Sequence, residues 1–222
     1  MAGRANAVRC LRRLVCKEWS EIVRMSEKKE KSPLRKRADE IKPYVCKNVI
    51  VVLENPADWK NVGMVIRNVN AIGAEKVYVV DEARQMPESW QDMRAHKTLF
   101  KASASAVKWT FVKRFDDTGS CLQHLQKNNF RSVATSPHIK GKKNASVEVA
   151  NFTKYKKLAM WFGNESDGIS DLAIESCDLC VSIPMHGIIE SFNLAVSTGI
   201  VLYEVTKQRR AFEASRRRTI PT

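Results

Sequence analysis

The sequence predicts an α/β protein built on a parallel sheet, and three observations lead there. Five short runs rich in Val and Ile recur along the chain at 49–54, 77–80, 131–134, 158–162 and 180–183. Such continuous apolar runs suit strands buried on both faces, as in a parallel sheet flanked by helices. Between the first two runs, Val62, Val65, Ile66 and Val69 repeat at helical spacing. The richest apolar segment, Phe192 to Val205, interrupted by Asn193, Ser197, Thr198 and Glu204, reads as a buried helix, within a long helix from Ser191 to about Phe212 that closes the chain.

The first 47 residues form a basic extension, helical or flexible, and residues 48–222 form the main domain. The extension carries fourteen Lys/Arg against six Asp/Glu, so +8 of the chain's net +14 lies there. Its opening, MAGRANAVRCLRRLVCK, has Arg and no acid before Glu18. That fits an organelle transit peptide or an RNA-binding helix, so a cytoplasmic location and a mitochondrial or other organellar one both stand. Over the 222 residues the charge and a pI near 9.7 favour a polyanionic partner, nucleic acid ahead of a membrane surface. No stretch approaches the roughly 20 consecutive apolar residues of a membrane span.

In the main domain the run 49–54 leads through Asn55-Pro-Ala-Asp-Trp-Lys to a helix, with Asn61 where an N-cap belongs and Gly73 as its C-terminal stop. Asp117–Asn128 reads as another helix, with Leu122 and Leu125 on one face. In the last helix Gly199 implies close approach by another backbone, since a central glycine costs about 1 kcal/mol relative to Ala. The six cysteines are scattered. Cys177-x-x-Cys180 has no second pair and no His at zinc spacing, so both read as packing thiols and no metal site is expected.

Three segments follow predicted strands at their carboxyl ends, where open α/β sheets bind ligands. The first is Glu54–Arg67, in which Asn61 is an N-cap or a site residue and Arg67 a solvated charge or a site residue. The second is Gly163-Asn-Glu-Ser-Asp-Gly-Ile-Ser170, a tight turn or a loop whose glycines admit a ligand to the backbone. It lacks both the GKS/T of a phosphate loop and the GxGxxG of dinucleotide binders. The third is Ile183-Pro-Met-His-Gly-Ile-Ile-Glu-Ser-Phe-Asn193, with Ser191 or Glu190 at the start of the last helix. No GxSxG elbow accompanies His186.

Together the three segments resemble, in order, the motifs of the SpoU family of RNA ribose methyltransferases, over roughly residues 48–212. Phe100-Lys-Ala-Ser-Ala-Ser-Ala106 and Ile183-Pro-Met185 bring the likeness nearest to the single-domain tRNA guanosine 2′-O-methyltransferases. Phe192, Asn68 and Ser166 stand where members often carry Leu, Thr and Gly. The resemblance implies a deep trefoil knot in the parallel α/β sheet, S-adenosyl-L-methionine as cofactor, and a guanosine of tRNA as target. Ribosomal RNA, or a catalytically silent RNA-binding homologue, is the alternative. It implies a homodimer whose final helix packs on a partner, Arg67 as the catalytic residue with Asn61, Glu165, Ser191 and Asn193 around it, and Thr135, Gly163, Ile183, Ile188 and Phe192 at the cofactor. A guanidinium is almost wholly protonated in water and is a poor base, so Arg67 is expected to bind phosphate and stabilise a developing alkoxide. Basic residues of the extension, with Arg209, Arg210, Arg216, Arg217 and Arg218, are candidate phosphate contacts.

Overall fold

The computed structural model describes residues 31–218, with the side chains of Glu75, Arg217 and Arg218 excepted. The opening segment, with Cys10 and Cys16, lies outside the described residues. Two compact units result, divided between Tyr44 and Val45. In the first, helix α1 (Pro33–Ile41) is capped by Ser32 and followed by a 3-10 turn, Lys42–Tyr44.

The second unit holds a seven-stranded, all-parallel sheet: β1 (Cys46–Glu54), β2 (Ala74–Val80), β3 (Phe111–Phe115), β4 (Arg131–Thr135), β5 (Asn144–Ser146), β6 (Leu158–Phe162) and β7 (Leu179–Ser182). Its order is β3-β2-β1-β6-β4-β7-β5. The chain therefore runs from β4 to the edge at β5, crosses back to β6 beside β1, and returns to β7 on the far side of β4. Between the strands lie α2 (Trp59–Ile72), α3 (Trp90–Ala95), α4 (Lys97–Ala102), α5 (Thr118–Lys127) and α6 (Asp171–Ser176), and α7 (Leu194–Arg218) ends the described chain.

Strand alternation divides the apolar residues of β1 between two cores. Val49, Val51 and Leu53 join Val62, Val65, Ile66 and Val69 of α2 and Val201, Leu202 and Val205 of α7. Ile50 and Val52 face Leu122 and Leu125 of α5, Ile174 of α6 and Trp161. Burial on both faces is why these strands read as unbroken apolar runs.

Several local expectations change. Helix α2 begins two residues before Asn61, with Asp58 as N-cap accepting from Lys60 N, while Gly73 closes it at φ 85°. Asp and Asn cap equally well, so composition alone did not separate them. The last helix starts at Leu194 and runs to Arg218. Asn193 caps it, its Oδ1 accepting from Ala195 N at 2.9 Å, so neither Ser191 nor Glu190 has that role. Gly199 faces the Asn68 side chain, at 3.3 Å from a built Cβ, and no foreign backbone. Asn68 Nδ2 donates to Ala195 O at 2.7 Å, which ties α2 to α7.

Candidate active site

The parallel strands β4, β6 and β7 end on the same side of the sheet as β1, and the segments after β4, β6 and β7 surround a cavity of about 520 Å³. That volume lies within the usual range for small-molecule sites. Phe162, Val181, Ile183 and Leu194 supply apolar lining, and Glu165, Asp167 and Glu190 supply carboxylates. His138 and Lys140, from the loop after β4, are the basic lining residues.

The loop after β6 is held by its own backbone and by β1. Asn164 N donates to Gly168 O at 3.0 Å, and Asn164 Oδ1 accepts from Ser166 N and Asp167 N. Gly168 turns the chain at φ 72°. A Cβ on Gly163 would lie 1.9 Å from Gly168 C, so this hairpin closes only with glycine there. At the loop's far end Ser170 caps α6 through Ala173 N, and Ser170 N and Oγ both donate to Glu54, each at 2.7 Å. Glu54, only 2% exposed at the end of β1, also accepts from Thr118 Oγ1 at 2.5 Å.

Glu165 returns the connection. Its Oε1 accepts from Asn61 Nδ2 at 2.5 Å and its Oε2 from Ala57 N at 3.3 Å. Asn61 Oδ1 in turn accepts from Asn193 Nδ2 at 3.0 Å. One acid from β1 thus pins the loop, and one acid from the loop pins the turn into α2. Asn61, Glu165 and Asn193, from segments more than 100 residues apart in two cases, form one hydrogen-bonded chain.

The other candidate residues divide. Thr135, Gly163, Ile183, Ser191 and Phe192 line the cavity beside Glu165 and Asn193. Thr135 Oγ1 donates to Trp161 O at 2.7 Å, which fixes the end of β4. Phe192 is 42% exposed, and Ile188 is 98% exposed and outside the lining. Arg67 is exposed on α2 and makes no hydrogen bond or ion pair among the described residues, so within one chain it does not meet Ser191 or Glu165. Arg209 is no surface contact: it is 7% exposed and donates to the carbonyls of Phe152, Tyr155 and Lys156. Arg210 donates to Ile72 O.

Sequence reasoning missed Glu54 as a pin, and His138, Lys140 and Asp167 as lining. The signal for Glu54 was an acid closing an otherwise apolar run, a position that burial makes costly unless hydrogen-bonded. Burial pushes the Cys121 thiol up to about 12 and raises those of Cys177 and Cys180, as suits packing residues.

Comparison with known proteins converges on one family. The SpoU rRNA Methylase family profile matches residues 48–203. A tRNA (guanosine(18)-2′-O)-methyltransferase of Aquifex aeolicus (strain VF5) is 28% identical over 174 residues, spanning 78% of this chain and 76% of its own. The 23S rRNA (guanosine-2′-O-)-methyltransferase RlmB of Vibrio vulnificus (strain CMCP6) is 28% identical over 173 residues, and the match spans 78% of this chain and 64% of that relative. Among solved structures, the A. aeolicus TrmH/SpoU tRNA modifying enzyme superposes with a TM-score of 0.66 at 25% identity, covering 85% of this chain and 90% of that one. The SpoU methyltransferase AviRb from Streptomyces viridochromogenes, solved with AdoMet, shares the fold with a TM-score of 0.63 at 24% identity, over 78% and 64%.

Proposed function

The chain belongs to the SpoU rRNA Methylase family, and from that premise we propose that it transfers the methyl group of S-adenosyl-L-methionine to a ribose 2′-hydroxyl of RNA, on a guanosine of tRNA. The observation that carries this reading is the Asn61–Glu165–Asn193 chain of hydrogen bonds, which ties the start of α2 to two segments that line one cavity. A knot formed by the β4–β7 segments belongs to the same reading. Its support is the double crossing of the sheet around β4.

The cavity's chemistry fits the cofactor. An apolar floor suits a purine, and Glu165, Asp167 and Glu190 suit a ligand bearing a sulfonium and an ammonium. Backbone groups at Gly163 and Ile183, with Thr135 and Phe192, would hold it, and Ile188 would close over it. When bound, it supplies an electrophilic methyl group.

What remains for the protein is positioning and charge stabilisation, because a ribose hydroxyl is a very weak acid. Asn61 and Asn193 present amides fixed by Glu165 and by the start of α7. Ser191, exposed on the cavity wall, orients the ribose. Arg67 binds the neighbouring phosphate bidentately and stabilises the developing alkoxide, while the proton leaves to that phosphate or to water. Its outward position in the single chain means that the ribose, or a second subunit's cavity, must be brought to it.

The functional unit in this reading is a homodimer. Val196, Ile200 and Tyr203 lie at i, i+4 and i+7 on α7 and are 47%, 36% and 62% exposed, an apolar stripe that packing on a second copy would cover. Sedimentation on dilution should show a persistent dimer, and a stable monomer would remove this part.

Transfer of labelled methyl groups to unmodified tRNA and rRNA transcripts tests the whole. Labelling of tRNA is expected. Labelling of rRNA alone would support the second reading, which the similarity to RlmB favours. Intact RNA binding without cofactor binding in calorimetry would instead mark a silent homologue.

A further inference from the structure

The segment between β2 and β3, where the sequence predicts no element or site residue, presents several exposed aromatic and basic side chains. Trp59, the first residue of α2, stacks on His96 at a centroid distance of 5.0 Å and an interplanar angle of 26°. His96 caps α4, its Nδ1 accepting from Leu99 N. Leu99 is the side of α4 turned fully to the core, and Ala102 packs so tightly on Gly63 that a Cβ there would lie 2.5 Å from the Ala102 Cβ. The rest of α4 faces outward: Phe100 is 38% exposed, and Lys97 and Lys101 are exposed. In the turn that follows, Lys108 sits 4.7 Å over the Phe100 ring, and Trp109 is 45% exposed. None of these three lysines is in an ion pair among the described residues.

Position gives this patch its meaning. Trp59 and Asn61 are two residues apart on α2, and at about 100° per residue they project from nearly opposite sides of its first turn. One side reaches Glu165 and Asn193; the other stacks on His96. The patch therefore begins about one helix width, roughly 10 Å, from the hydrogen-bonded chain at the cavity wall. Unpaired lysines interleaved with exposed rings form the surface that single-stranded nucleic acid recognises, phosphates on the cations and bases on the ring faces.

We infer that the α4 face, from the Trp59–His96 stack through Lys97, Phe100 and Lys101 to Trp109, binds single-stranded RNA flanking the target nucleotide. This rests on the methyltransferase reading for its choice of RNA. The face grips nucleotides beside the modified one and sets the affinity with which the ribose is presented.

The test uses the full chain, with an unmodified tRNA transcript and a single-stranded oligouridylate as probes. Lys97→Gln with Lys101→Gln removes two phosphate contacts, so the slope of log affinity against log salt should fall by about 1.4. His96→Asn keeps a capping acceptor for α4 and removes the ring; with Trp109→Ala it should weaken binding of both RNAs about tenfold. Cofactor affinity and thermal stability should be retained, and the RNA KM should rise with little change in kcat. Unchanged RNA affinity and salt slope in the lysine variant would overturn the proposal. A slope change without any effect of the ring variants would overturn its stacking part. If the wild-type protein transferred no methyl group while these losses of RNA affinity were seen, the methyltransferase reading would fall and the RNA face would stand. If methyl transfer was normal and the losses were absent, only the face would fall.

Discussion

Replacing Glu54 by Gln should loosen the loop that carries Glu165, and the size of the effect can be worked out from its contacts. The buried carboxylate accepts three hydrogen bonds, from Ser170 N, Ser170 Oγ and Thr118 Oγ1. An amide retains one acceptor oxygen, and the NH2 must face at least one of these donors. Ser170 Oγ accepts from Ala173 N, and if it also accepted from the amide its own O–H would be left without an acceptor. Hydrogen bonds to a charged acceptor contribute about 1.5–3 kcal/mol each, roughly twice a neutral one. Losing part of three such bonds comes to about 2 kcal/mol. For a domain of this size that lowers Tm by about 4–8 °C. Glu54→Ala, which strands all three donors, should cost about 3–5 kcal/mol. Thr118→Val breaks the bond that does not touch the loop and should cost about 1 kcal/mol. Thermal unfolding followed by circular dichroism, paired with cofactor calorimetry, separates the cases. Glu54→Gln should lose both stability and cofactor affinity, and Thr118→Val stability alone. A Glu54→Gln protein with unaltered Tm and cofactor affinity would refute the pinning role.

Four further outcomes follow from the same contacts. Gly163→Ala forces a Cβ into the Gly168 backbone, so cofactor affinity should fall at least about tenfold, a change seen directly by calorimetry. Arg67→Lys keeps the charge but not the fork, and kcat should drop by about tenfold or more; near-normal turnover with unchanged RNA affinity would show that bidentate geometry is unnecessary. Cys121 and Cys177, buried with raised thiol pKa values, should resist alkylation at pH 8 in the native protein and react once it is unfolded. Burial, then Lys113, Lys127 and Lys76, hold the His124 imidazole below its ordinary pKa. Its unfolded form therefore takes up the proton first, so stability should decline as pH falls from about 6.5 towards the folded value, and His124→Gln should flatten that decline in urea titrations.

The central strands were legible because burial on both faces leaves an unbroken apolar run, as in β1 and β6. Strand β3 was not: it lies at the sheet edge, and Lys113 and Arg114 interrupt its pattern. Strand β5, three residues at the other edge, is too short to carry a period. Helices α3, α4 and α6, six residues each, are likewise below the length at which helical spacing repeats. At the site, the motifs named Asn61, Glu165 and Asn193, but local rules pointed elsewhere. Asn61 resembled a cap because Asn caps helices, whereas its amide is held by Glu165 and Asn193 and Asp58 does the capping. Asn68, a departure from the family's frequent Thr, has a partner in Ala195 O and lies against Gly199, contacts that only the packing of α2 on α7 reveals. Phe192 reaches the cavity wall and remains partly exposed, so its larger ring is accommodated at the mouth without displacing the core.

The claim that the methyl group goes to a ribose oxygen is open to one direct chemical measurement. Alkaline cleavage of RNA needs a free 2′-hydroxyl, so a ribose-methylated nucleotide stays joined to its 3′ neighbour. Unmodified tRNA labelled by this protein from methyl-labelled S-adenosyl-L-methionine, then hydrolysed in alkali, should release the label in a dinucleotide with guanosine at its 5′ position. Label recovered in mononucleotides would place the methyl group on a base and contradict the account.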